Sequence, residues 1–191
     1  MGHTYIIAQR YDANGDALGG EVTLSDNPAL FHHMPEATLL ANGDVAIMWR
    51  GRDAEINGFA VFVTTYEITP VIVGANGDDT LTGTERDEVL RGGLGDDTIE
   101  GQDGNDTIEA GFGHDSVDGG AGNDSLEGGF GFDTLHGGAG DDFIDGQGNA
   151  DRLFGGTGND TLLGGDGTDH LHGEDGNDEL YSGAGADRAF G

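Results

Sequence analysis

From Gly74 to Phe190 the chain repeats one nine-residue unit 13 times, with no insertion or deletion. Clear copies are Gly92-Gly93-Leu94-Gly95-Asp96-Asp97-Thr98-Ile99-Glu100 and Gly155-Gly156-Thr157-Gly158-Asn159-Asp160-Thr161-Leu162-Leu163. The common pattern is G-G-x-G-x-D-x-U-x, with U a bulky aliphatic residue. A strict short period restricts the chain to architectures in which each unit packs on its own neighbours. Position six is Asp in 12 copies, Glu88 being the exception. Position four is Gly in 11 copies, the exceptions being Arg86 and Asn149. If that position requires positive φ, Asn is the milder replacement. Position eight is Leu, Ile or Val in 12 copies and Ala189 in the last.

The first six residues of each unit, rich in glycine and acid, suit neither helix nor strand interior, but they suit a tight turn. The last three, such as Thr98-Ile99-Glu100, suit a very short strand. Alternation then points the aliphatic residue one way and its neighbours the other. A turn plus a strand is a half-coil, so 18 residues make one coil of a flattened parallel β-helix with two sheets. Odd copies stack Leu81, Ile99, Val117, Leu135, Leu153, Leu171 and Ala189 in one sheet. Even copies stack Leu90, Ile108, Leu126, Ile144, Leu162 and Leu180 in the other, and the two rows form the core. Six and a half coils at about 4.8 Å each give a rod of roughly 31 Å.

Such stacking brings each position-six carboxylate within about 4.8 Å of the next in its column. Like charges at that distance repel by roughly 1–3.5 kcal/mol per pair, for effective dielectrics of about 80 down to 20. The array is therefore expected to stay unfolded until a cation enters. Carboxylate and backbone carbonyl oxygens are hard ligands that select calcium over zinc or copper. The expected ligands are Asp79, Asp97, Asp106, Asp115, Asp124, Asp133, Asp142, Asp151, Asp160, Asp169, Asp178 and Asp187, with carbonyls of the turns.

These motifs resemble the RTX, or haemolysin-type, calcium-binding repeats of secreted bacterial proteins. The resemblance covers residues 74–190. It implies a right-handed, calcium-filled parallel β-roll, with each ion held between turn n and turn n+2. On that scheme Asp79 shares an ion with Asp97, Asp97 with Asp115, and so on down the odd column. The even column runs Asp106, Asp124, Asp142, Asp160, Asp178. Thirteen turns allow at most 11 such ions, and Arg86 and Glu88 put the site between copies two and four in question.

The net charge is −30, and the array alone holds 28 acids against four arginines. That field repels nucleic acid and anionic membrane, so neither is expected as a partner. There is no cysteine, hence no disulfide framework. No run of 18 apolar residues occurs, so no membrane insertion is expected. Met1-Gly2-His3-Thr4 does not open a cleavable signal peptide. Extracellular modules bind calcium at about 0.1–1 mM, far above cytosolic levels, which points to an extracellular module that folds after export. The resemblance adds type I secretion through an uncleaved C-terminal signal, which this chain, stopping at Gly191, does not display.

Residues 1–73 hold all three prolines, Pro28, Pro35 and Pro70, and read as a small antiparallel β-meander of about five strands. The expected strands are Thr4–Tyr11, Ala17–Leu24, Ala37–Ala41, Asp44–Trp49 and Phe59–Ile68, with hairpin turns at Asn14-Gly15 and Asn42-Gly43. The stretches Gln9–Gly15 and Leu40–Trp49 resemble a β-unit of about 55 residues that occurs in tandem in large bacterial secreted proteins. One such unit is expected to cap the first coil of residues 74–191. The chain then reads as a fragment of something longer.

No catalytic constellation emerges. Asp12-x-Asn14-x-Asp16 opens like an EF-hand loop but has Ala17 and Thr23 where Gly and Glu are needed. There is no H-E-x-x-H, no G-x-S-x-G and no lysine for a P-loop. His170 and His172 share an outward face, with His136 two coils away, too far to join them on one zinc or nickel ion. Leu94, Phe112 and Phe130 are expected to form an apolar ladder, and Thr80, Thr98, Ser116 and Thr134 a hydroxyl ladder. Outward Phe154, Phe190, Leu163 and Tyr181 offer a surface for a protein partner or self-association. The expected function is a non-catalytic calcium-binding module of a secreted protein. The alternatives are a C-terminal appendage of a secreted protease, lipase or epimerase, or the spacer of a surface adhesin.

Overall fold

The computed structural model describes the backbone of five strands within residues 6–66, and residues 69–191 in full. The chain divides into two compact units, Met1–Ile68 and Thr69–Gly191. In the first unit β1 (Ile6–Tyr11) pairs antiparallel with β2 (Ala17–Ser25). A separate antiparallel sheet is built from β3 (His33–Leu39), β4 (Val45–Asp53) and β5 (Gly58–Tyr66). Five strands were expected in one meander; they fall into sheets of two and three, and β2 does not pair with β3. The segment between those strands carries Pro28 and lies outside the described residues, as do both Asn-Gly turns.

The second unit is a two-sheet parallel solenoid. Its strands, in chain order, are β6 (Val71–Val73), β7 (Thr80–Thr82), β8 (Val89–Leu94), β9 (Thr98–Asp103), β10 (Thr107–Phe112) and β11 (Ser116–Ala121). They continue as β12 (Ser125–Phe130), β13 (Thr134–Ala139), β14 (Phe143–Gly148), β15 (Arg152–Thr157) and β16 (Thr161–Leu163). The last are β17 (Asp166–Gly167), β18 (His170–Asp175), β19 (Glu179–Tyr181), β20 (Ala184–Gly185) and β21 (Arg188–Phe190). The odd sheet has the order β21-β18-β15-β13-β11-β9-β7. The even sheet runs β19-β16-β14-β12-β10-β8-β6, with β17 and β20 continuing it beside β14. Val71–Val73 thus supply one half-coil more than the repeat alone, and the roll has about seven coils of about 18 residues.

The core is the two expected rows. Leu81, Ile99, Val117, Leu135, Leu153 and Leu171 face Leu90, Ile108, Leu126, Ile144 and Leu162, with Ile72 and Leu180 packed at the ends. Ala189, the one small residue of its row, is exposed. Strands are longer than the three residues expected. Most run six residues, through positions seven, eight and nine and on into positions one to three of the next copy. Their buried residues are at position eight and at position one, so the alternation of a strand carries past the turn boundary. This explains glycine at position one. A Cβ built at Gly128 points inward and meets Asp133 Oδ2 at 2.8 Å and the Gly146 carbonyl at 3.1 Å.

Position four needs glycine for a different reason. Gly131 has a φ of 152°, and a Cβ there would collide with the Gly113 carbonyl of the coil before. Asn149 takes positive φ at the same position, as its tolerance of that region suggests, and Arg86 does not.

Candidate metal centre

The position-six carboxylates lie inside the roll. Asp97, Asp106, Asp115, Asp124, Asp133, Asp142, Asp151, Asp160 and Asp169 are all buried, with Asp79, Asp178 and Asp187 partly exposed at the two ends. Their two oxygens have different partners. Oδ1 accepts from the backbone N–H of the position-six residue one coil earlier. Asp79 N–H donates to Asp97 at 2.8 Å, Asp97 to Asp115 at 2.8 Å, Asp115 to Asp133 at 2.9 Å and Asp133 to Asp151 at 2.9 Å. The even column repeats this from Glu88 to Asp178.

Oδ2 is the other half of the group. In each of the nine buried aspartates it is shielded from solvent and has no hydrogen-bond partner. A buried, unpartnered carboxylate oxygen is strongly unfavourable. All but Asp115 face a backbone carbonyl of the following coil across the space that glycine leaves at position one. From that point at Gly146, Asp151 Oδ2 lies at 2.7 Å and the Gly164 carbonyl at 2.9 Å. At Gly164, Asp169 Oδ2 lies at 2.8 Å and the Ser182 carbonyl at 2.5 Å. A carboxylate oxygen and a carbonyl oxygen left facing one space are the hard donors that calcium takes. Copy five carries Ala110 at position one, so a buried methyl enters the cradle of Asp115.

Burial dominates the acidity of these groups. It pushes Asp106 and Asp115 up to about 6, against the hydrogen bond each accepts from the backbone. Asp142 and Asp151 rise to about 7 for the same reason, with neighbouring carboxylates adding to the shift. Asp124, Asp133, Asp160 and Asp169 are also raised, chiefly by burial. Without a cation, the folded roll disfavours the very charges that the sequence repeats.

The N-terminal end differs. Glu88 is buried, but its carboxylate is already satisfied by the N–H and hydroxyl of Thr84. Asp79 Oδ2 accepts from the Ala75 N–H at 2.7 Å. Neither therefore shows the unpartnered oxygen of the nine. Among the described residues no three histidine or acidic side chains converge on a point. His136 and His172 lie in one column with Phe154 stacked between them, and His170 lies in the neighbouring column.

One set of functional contacts escaped the sequence reading. Side chains at position five form a second ladder, with bonds in the reverse direction. Asp87 accepts from Asn105 N–H at 2.7 Å, Asn105 from Asn123 at 2.8 Å, Asn123 from Asp141 at 2.9 Å and Asp141 from Asn159 at 2.7 Å. On the odd edge the ladder runs from Asp78 through Asp96 and His114 and ends at Phe132. The signal was present: eight of the 13 copies carry Asp or Asn at that position.

The RTX calcium-binding nonapeptide repeat matches in four consecutive copies, over residues 71–85, 82–117, 118–153 and 154–189. No curated protein matches the chain. The repeats of this family typify secreted bacterial proteins and bind calcium. With the period, the two-sheet coil and the buried acidic ladder all in agreement, the chain belongs to the RTX calcium-binding nonapeptide repeat family.

Proposed function

We propose that this chain is a non-catalytic structural module of a secreted protein, in which calcium uptake and folding are a single event outside the cell. The observation that carries this reading is the set of nine buried Oδ2 atoms without partners, eight of them facing a carbonyl of the next coil. Bound calcium supplies the positive charge that makes nine buried carboxylates compatible with one another. The protein's own part is to hold the oxygens in place: Oδ1 by the coil before, the carbonyl by the coil after. The principal ligands are Asp97, Asp106, Asp115, Asp124, Asp133, Asp142, Asp151, Asp160 and Asp169. Asp79, Asp178 and Asp187 serve the weaker terminal positions. The coils wind in the right-handed sense that parallel crossovers favour.

The test is a calorimetric calcium titration read alongside far-ultraviolet circular dichroism. Around nine cooperative sites, with strand content appearing only as they fill, is the expected result. One or two sites, or equal strand content in chelator and in millimolar calcium, would overturn the reading.

A further inference from the structure

The outer face of the odd sheet changes character along the rod. Its position-seven column begins with the hydroxyls of Thr80, Thr98, Ser116 and Thr134, in register as expected. It continues, still in register, as Arg152, His170 and Arg188. Two of the four arginines of this acidic array therefore stand in one three-rung ladder. Both are exposed, and neither guanidinium has an ion-pair partner among the described residues. By contrast, Arg91 pairs with Glu109 of the next coil at 2.9 Å. Arg152 and Arg188 stand two coils apart with His170 between them, a basic strip on an otherwise acidic rod that suits an anionic neighbour. Beside this column the rings of His136, Phe154, His172 and Phe190 stack at 4.5–5.2 Å. Stacked rings present their electropositive edges outward, which also suits an anionic neighbour.

The complement lies on the opposite face of the same roll. There the position-nine column of the even sheet places Glu109, Glu127 and Asp145 in register on three successive coils, and since Glu109 already pairs with Arg91, the charges it presents are those of Glu127 and Asp145. Both ladders are generated by the same coil rise, so their pitches are equal. Successive strands of a coil run in opposite directions, because a turn reverses the chain between the two sheets. A second copy in the same orientation, set against the odd face, thus meets position seven with its own position nine. An axial offset of two and a half coils, about 12 Å, aligns all three rungs. The same offset sets Phe190 against Phe143, both exposed.

We propose that the odd face of one copy docks on the even face of another, through His170 and Arg188 against Glu127 and Asp145, with Arg152 set beside the Arg91–Glu109 pair. Each copy keeps its other face free, so the contact is heterologous and open-ended. The face measures roughly 20 Å across a six-residue strand by 24 Å over five coils, below the standard interface of about 800 Å² per partner, so the association is weak. It weakens further with salt.

Sedimentation velocity of the full chain in millimolar calcium, over a range of concentrations, tests the proposal. Wild type is expected to sediment faster as concentration rises. Arg152→Glu with Arg188→Glu is expected to abolish that rise, and so is Glu127→Arg with Asp145→Arg. An equimolar mixture of the two variants is expected to regain it, because each then offers the other's missing complement. Circular dichroism in calcium checks that both variants fold; the single changes Arg188→Glu and Asp145→Arg replace any that does not. A wild type that stays monomeric, a rise that survives either variant, or a mixture that remains monomeric would overturn it. So would arginine-dependent retention of a monomeric wild type on immobilised polyglutamate, which would make the face a site for a free polyanion.

Discussion

A single aspartate in this roll does two jobs with two atoms. Oδ1 holds the coil before it through a backbone hydrogen bond, and Oδ2 waits for a cation. Asparagine preserves the first role and replaces the second with a donor that can reach the facing carbonyl. Asp133→Asn should therefore keep the coil and lose one calcium site. Asp133→Ala removes both roles and leaves the Asp115 N–H unpaired, at about 1–3 kcal/mol beyond the asparagine variant. Chemical denaturation of both variants in excess calcium, with site counts by calorimetry, checks the difference. Equal destabilisation would show that the hydrogen bond is immaterial. The sequence made the aspartates legible through their strict phase, but not the division of labour between their oxygens, which depends on where the neighbouring backbone lies.

Among the elements, the strands show where a nine-residue pattern can be read and where it cannot. The aliphatic rows were legible because Leu135 and its equivalents recur with one period and one polarity. The six-residue length of β13 was not, because glycine at Gly137 hides the alternation that continues through it. The position-five ladder was hidden for another reason: Asp, Asn and His all accept a bond there, so the chemistry persists while the residue type varies. Phe132 ends that ladder on the odd edge, and Ala150 in the next coil offers no acceptor either. Ala150→Asn should restore an acceptor for the Thr168 N–H and stabilise the roll by about 0.5–1.5 kcal/mol. The midpoint of denaturation in calcium reads this directly, and no change would argue that the edge is already solvated to its satisfaction. In the first unit, strand positions were legible from composition, whereas the split into two sheets was not, since pairing is a property of no single segment.

At the scale of the molecule, protons and calcium compete for the same oxygens. Folding raises the pKa of Asp106 and Asp115 to about 6 and of Asp142 and Asp151 to about 7, from an ordinary 3.8. A raised carboxylate binds protons more tightly when folded, so it adds stability below its unfolded pKa and loses it as pH rises through the folded value. The metal-free roll should accordingly gain strand content as pH falls from 8 to about 5, the reverse of ordinary acid denaturation. Circular dichroism in chelator across that range checks the sign; a flat or opposite response would contradict it. In calcium the linkage shows as proton release on binding below about pH 7 and a weaker apparent affinity at about pH 5, both measurable by calorimetry in buffers of different ionisation enthalpy.

The two opposed hydrogen-bond ladders have a mechanical consequence. Along the even edge every coil is laced to its neighbour in both directions, by position five and by position six. Along the odd edge beyond Phe132 the position-five bonds are absent among the described residues, and the side-chain lacing is that of position six alone. The last coils are bound like the pages of a book, with the even edge as the spine and the odd edge as the side that opens.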